Sequence, residues 1–202
     1  MKKVSDIYAI KIIFFITACY VGLWAIRIPT IKDQLQTDYV GVGYIMLSFA
    51  IGSIIAMIFA NALILKTSTK SILTYTLIAE GCLWLPVPFI QELWLFMIFS
   101  FIFGMSYGAF EIACNVYASN LEIREKKSMM SGFHAFWSLG VLFGSLITSF
   151  LLEWDYSFIF NILLYVIILL PLSLYFVLCL ENQVESKSDN SNKKTIFFIW
   201  PL

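Results

Sequence analysis

The stretch Leu93–Ala118, LWLFMIFSFIFGMSYGAFEIACNVYA, decides how the chain is read. Its first fifteen residues, through Tyr107, carry no charge. A helix that crosses a bilayer needs about 20 mostly apolar residues, so the stretch reads as a membrane span. Near its middle lies Glu111, with Asn115 one turn further on. A carboxylate in the hydrocarbon costs roughly 2.5–3.5 kcal/mol on insertion scales. It is tolerated when it faces a cavity, finds a partner or takes up a proton.

Working outward, five more runs of the same kind appear, at about 7–28, 40–64, 71–90, 129–152 and 156–180. Backbone polar groups in lipid must be satisfied within the segment, so each run is expected to be a helix. The fold class is therefore all-α membrane with six transmembrane helices. Composition agrees: 60% of the 202 residues are hydrophobic and 13% charged, and the mean hydropathy is +0.86. Net charge is zero, which gives no bulk attraction to nucleic acid. Pro171 falls inside the sixth run and predicts a kink.

The basic residues set an orientation. With the N-terminus inside, the inner segments hold Lys2, Lys3, Lys66, Lys70, Arg124, Lys126, Lys127, Lys187, Lys193 and Lys194, and the outer ones only Arg27 and Lys32. Both ends of the six-span unit are thus expected in the cytoplasm, with the protein multi-pass in the cytoplasmic (inner) membrane. The start MKKVSDIYAIKIIFFITACYVG has the look of a secretory signal, but Lys11 interrupts its apolar run, and it is read as the first span. Residues 1–180 form the six-span domain. Residues 181–195, polar and without periodicity, read as a cytoplasmic linker. Residues 196–202 read as the start of a truncated seventh span, too short to cross.

Cys19, Cys82, Cys114 and Cys179 lie in apolar runs without a CxxC pair, so small packing residues are expected, with no metal site and no disulfide framework. Ser48-FAI-Gly52-Ser53 in the second run echoes Gly140-VLF-Gly144-Ser145 in the fifth. That echo is what a three-plus-three repeat would produce.

Polar residues gather on faces. Gly104, Gly108, Glu111, Asn115 and Ser119 fall within about 80° on the fourth helix, and Ser131, His134, Ser138, Ser145 and Ser149 within about 60° on the fifth. Gly140 and Gly144 lie opposite; these two and Gly104 and Gly108 are expected at helix contacts, where small residues let a neighbouring helix approach. His134, the chain's single histidine, is a side-chain type suited to proton transfer and could join a proton path with Glu111. On the first helix Tyr20, Trp24 and Arg27 share a face. Arg27 either contacts a polar solute or snorkels to the interface. Glu80 in the third run is a second intramembrane acid, on which nothing nearby in sequence converges. Ser131 and His134 are one turn apart, but no third member completes a nucleophilic site, so no enzyme activity and no cofactor is expected.

GAFEIACNVYASNLE followed by MMSGFHAFWSLGVLFG resembles the major facilitator superfamily, in particular its fucose permease-like and YbjJ-like branch. Glu111 and Asn115 match that branch's acid-x-x-x-Asn pattern, and His134, Phe136, Ser138 and Gly140 match its fifth-span spacing. The loop Asn61–Lys70 keeps Leu63 and two basic positions of the superfamily's G-x-L-x-D-R-x-G-R-K, without its Asp and glycines. The first span lacks the acid of fucose permeases. The resemblance implies the N-terminal six-span half of a twelve-span secondary transporter. Its solute would be small, polar and sugar-like, with the proton as coupling ion and Glu111 in the coupling role. A half alone implies a partner: a second half-transporter chain, or a homodimer. The other reading is a non-transporting truncated product, or an interaction or sensor protein reusing the half-fold.

Overall fold

A computed structural model describes residues 5–182. The expectations placed on 183–202, most of the linker and the start of a seventh span, lie outside the described residues. So do Lys2 and Lys3. Among the described residues are six α-helices: α1 Asp6–Gln34, α2 Tyr39–Lys66, α3 Thr69–Trp84, α4 Leu93–Glu125, α5 Met130–Glu153 and α6 Phe158–Cys179, with one 3-10 turn at Val87–Phe89. All six are long and apolar enough to cross a membrane, counting the 3-10 turn with α3.

Short polar signals start the helices. Asp38, Ser68 and Ser157 accept the backbone N–H of Gly41, Ser71 and Phe160 at 3.0–3.1 Å, at the starts of α2, α3 and α6. The fourth helix runs seven residues past the apolar stretch, to Glu125, because helical hydrogen bonding needs no apolar side chains. It ends at Lys126 in the left-handed conformation (φ 51°). Glu122 then accepts the N–H groups of Met129 at 2.5 Å and Met130 at 2.7 Å, which places a carboxylate on the first turn of α5. The first helix likewise continues past residue 28, through Pro29, and α6 stays helical through Pro171. Cys19 and Cys114 are buried as packing residues, but Cys82 is exposed.

Neighbours in sequence are not the main neighbours in space. The closest pairs are α1 with α5 and α2 with α4; next come α3 with α4, α1 with α6, and α3 with α6. Exchanging helices 1, 2, 3 for 4, 5, 6 maps this set of pairs onto itself. Glycines mark the register. A Cβ at Gly144 would strike the Cys19 carbonyl, and one at Gly22 the Val141 carbonyl. On the other side Gly52 meets the Phe101 carbonyl and Gly104 the Phe49 carbonyl. The spacing is the same in both clamps, three residues on each helix, and it pairs Gly52 with Gly144 as the sequence echo does. Ser48, the echo's counterpart of Gly140, donates to the Met97 carbonyl at 2.8 Å, at the position where Gly140 abuts the Phe15 carbonyl. The three-plus-three repeat is therefore built into the helix packing. Each helix of a clamp brings its backbone against its partner's where only hydrogen fits.

Two apolar clusters fill the bundle. One, around Tyr117, Leu121 and Phe133, lies toward the end carrying the α4–α5 connection. The other, around Tyr20, Trp84 and Phe96, lies toward the α3–α4 connection. At the first end Asp6, 4% exposed, binds Arg124 at 3.0 Å and accepts the N–H of Glu181, tying α1, α4 and the end of α6 together.

Candidate functional site

On α5 the two faces separate as their residue types require. Gly140 and Gly144 are buried against α1, whereas Ser131, His134, Ser138 and Ser149 are exposed. His134 stacks edge-on against Phe14 at 5.7 Å, and the Ser138 hydroxyl donates to the His134 carbonyl at 3.1 Å. On α4 Glu111, Asn115 and Ser119 are each half-buried. Glu111 and His134 lie within electrostatic range of each other. The structure thus brings Glu111, His134 and Ser138 to one partly uncovered strip. Gly104 and Gly108, expected at helix contacts, pack on the α2 backbone at Phe49 and Ser53.

The first-helix group divides. Tyr20 and Trp24 line a cavity of about 300 Å³ enclosed by α1, α2, α3 and α4. Arg27 does not join them. Sequence reading placed it either on a solute or at the interface, but its side chain turns to α6 and is 2% exposed. Nε donates to Asn161 Oδ1 and Nη2 to the Tyr156 carbonyl, both at 3.1 Å, and the guanidinium lies over the Phe158 ring. A guanidinium taken from water needs acceptors, and Asn161 on α6 and Tyr156 in the turn before it supply them.

Glu80 is the residue the sequence left without company. It lines the same cavity, 7% exposed, with Tyr20, Trp24, Trp84 and Tyr107 around it. The only signal was an acid inside a short apolar helix. Its surroundings come from Trp84 on its own helix and from rings on α1, α2 and α4. Among the described residues no group of three or more His, Cys, Asp or Glu could hold a metal ion.

Six membrane-length helices packed as two interchanged triplets have the arrangement of the three-plus-three repeats found in membrane transporters. The profile of the Major Facilitator Superfamily matches residues 12–200, and the chain belongs to that superfamily. It is similar to an uncharacterized MFS-type transporter of Yersinia pestis, 27% identical over 145 residues, which cover 70% of this chain and 37% of the relative. It is also similar to an uncharacterized transporter of Sinorhizobium fredii, 26% identical over 141 residues, 65% of this chain and 35% of the relative. The chain thus spans little more than a third of the length of these curated relatives. No solved structure matches it.

Proposed function

We propose that this chain forms one six-helix half of a secondary active carrier. It moves a small polar solute across the cytoplasmic membrane together with a proton. The observation that carries this reading is the strip of Glu111, Asn115, His134 and Ser138. Its groups are too polar for lipid, and no other described helix fully covers them. A carboxylate and an imidazole within electrostatic range can exchange a proton as a facing solute comes and goes. Two neutral acceptor-donor groups, Asn115 and Ser138, suit hydroxyls on a solute. The fucose permease-like spacing supports a sugar-like one. The second wall of the site is a complementary six-helix unit, whether on a continuation of this chain, on another chain or on a second copy.

The test is proton movement. In vesicles holding the chain with its complementary unit, a panel of monosaccharides is added under zero potential. At least one should cause proton influx with its own entry. If a sugar enters with no proton movement, the coupling is wrong; if none enters although the assembled protein is present, the solute class is wrong.

The same reading sets the orientation. With the basic excess inside, reporter fusions after Lys126 should report cytoplasm and fusions after Glu92 the opposite side. The reverse pattern would invert the whole assignment.

A further inference from the structure

The cavity of Glu80 has an unusual lining. Glu80 contributes a carboxylate, and most of the remaining wall is aromatic: Tyr20, Trp24, Trp84, Phe96, Phe103 and Tyr107 among its members. No hydrogen bond or ion pair holds that carboxylate among the described residues. The two cations at membrane depth are committed elsewhere. Arg27 is bound to α6, and Lys11 lies over the Phe136 ring at 5.3 Å. A second polar atom is also unpartnered: the Trp84 indole Nε1, on a residue 3% exposed, is buried without an acceptor. Two hydroxyls of the wall are committed elsewhere. Tyr20 donates to the Tyr165 carbonyl at 3.4 Å, and Ser100 to the Ile45 carbonyl at 3.0 Å. Met46, 48% exposed, stands at the rim, so the cavity has a way in.

We propose that this cavity is a binding site for an organic monocation, an amine or quaternary ammonium with an apolar body. A carboxyl group in an apolar cavity stays ionised only beside a counter-charge and otherwise takes up a proton. Ring faces carry negative quadrupole charge and attract a cation placed over them. A bare metal ion would need about six oxygen ligands, and the wall offers one carboxylate. An ammonium with carbon around it satisfies both parts of the wall at once. The charge sits near Glu80, and the body against the rings. At about 300 Å³ the cavity is at the small end of ligand pockets and suits a single-ring amine. The site is separate from the strip at Glu111, adjoining it through Tyr107, and its occupation requires no transport.

The test uses the full chain in lipid nanodiscs and radiolabelled benzyltrimethylammonium, with neopentylbenzene as the competitor of the same shape and no charge. The cation should bind saturably, and neopentylbenzene should compete at least tenfold less well than unlabelled cation. Glu80→Gln, which keeps size and removes charge, should weaken cation binding at least tenfold. No saturable binding, equal competition by the neutral analogue, or unchanged affinity in a folded Glu80→Gln protein would each overturn the proposal. The wild-type competition needs no variant, so it decides the matter even if Glu80→Gln fails to fold. Failure of sugar uptake leaves this result untouched, and failure of cation binding leaves the carrier reading untouched.

Discussion

Leucine at Gly144 is expected to cost the protein its folded bundle. The Cβ alone meets the carbonyl and Cα of Cys19, and these are backbone atoms that no rotamer change can move. The remaining three carbons would have to enter the α1–α5 seam, which is among the closest in the structure. Overpacking a well-filled site costs about 1–3 kcal/mol where side chains can yield; here the helices themselves must part, so the loss should reach or exceed that upper figure. In a chain of this size about 3 kcal/mol lowers the melting midpoint by roughly 6–12 °C. Gly132→Leu is the control. It lies on the same helix, and a Cβ there meets nothing within 4 Å. Thermal unfolding in mild detergent, followed by size-exclusion of the surviving monodisperse peak, compares the two. Equal melting of both variants would show that the clamp is not a close packing constraint. Gly104→Leu, at the mirrored clamp on Phe49, should behave like Gly144→Leu.

The second large effect belongs to Glu111→Gln. Uptake by the assembled carrier should fall to background, because glutamine keeps the shape and the hydrogen-bonding capacity but cannot take up and release a proton. Stability should move the other way or not at all. Removing a carboxylate from the bilayer interior removes a burden of about 2.5–3.5 kcal/mol on insertion scales, so the variant should melt at the same temperature as the parent or above it. This pair of signs separates the functional role from a structural one. Lost uptake with lowered melting would identify Glu111 as an interhelical strut, and retained uptake would remove it from the coupling path.

The sequence was most informative where physics acts locally. An apolar run long enough for the bilayer is a helix whatever its neighbours, so all six were legible, and the edges missed were the polar continuations of α1 and α4 and the early end of α3 at Trp84. The glycine face of α5 was legible too, since four-residue spacing of small residues has one use between helices. Arg27 and Glu80 were not. Each owes its surroundings to helices distant in sequence: Arg27 to Asn161 on α6, Glu80 to rings on α1 and α4. A helical angle orders residues around one axis, but it does not say which other axis lies beside them. Gly104 and Gly108, read as helix-packing residues, share a wheel face with Glu111. On one wheel they are neighbours; in the bundle α2 takes the glycines and leaves the acid partly open.

The interchanged triplets also bear on how the chain is made. Helix α1 finds its closest partner in α5, and α2 finds its own in α4, while consecutive α1 and α2 touch little. Roughly 120 residues of synthesis separate the end of α1 from the end of α5. At 5–20 residues per second that is about 6–24 s. Through that interval Gly22 and the bare carbonyls of Phe15 and Cys19 have no fitted surface to meet. The early helices must therefore wait in the bilayer as separate rods, and assembly is a late closing step led by α4 and α5. Premature termination before α5 would leave at most four inserted helices without the α1–α5 clamp, a product for quality control to remove.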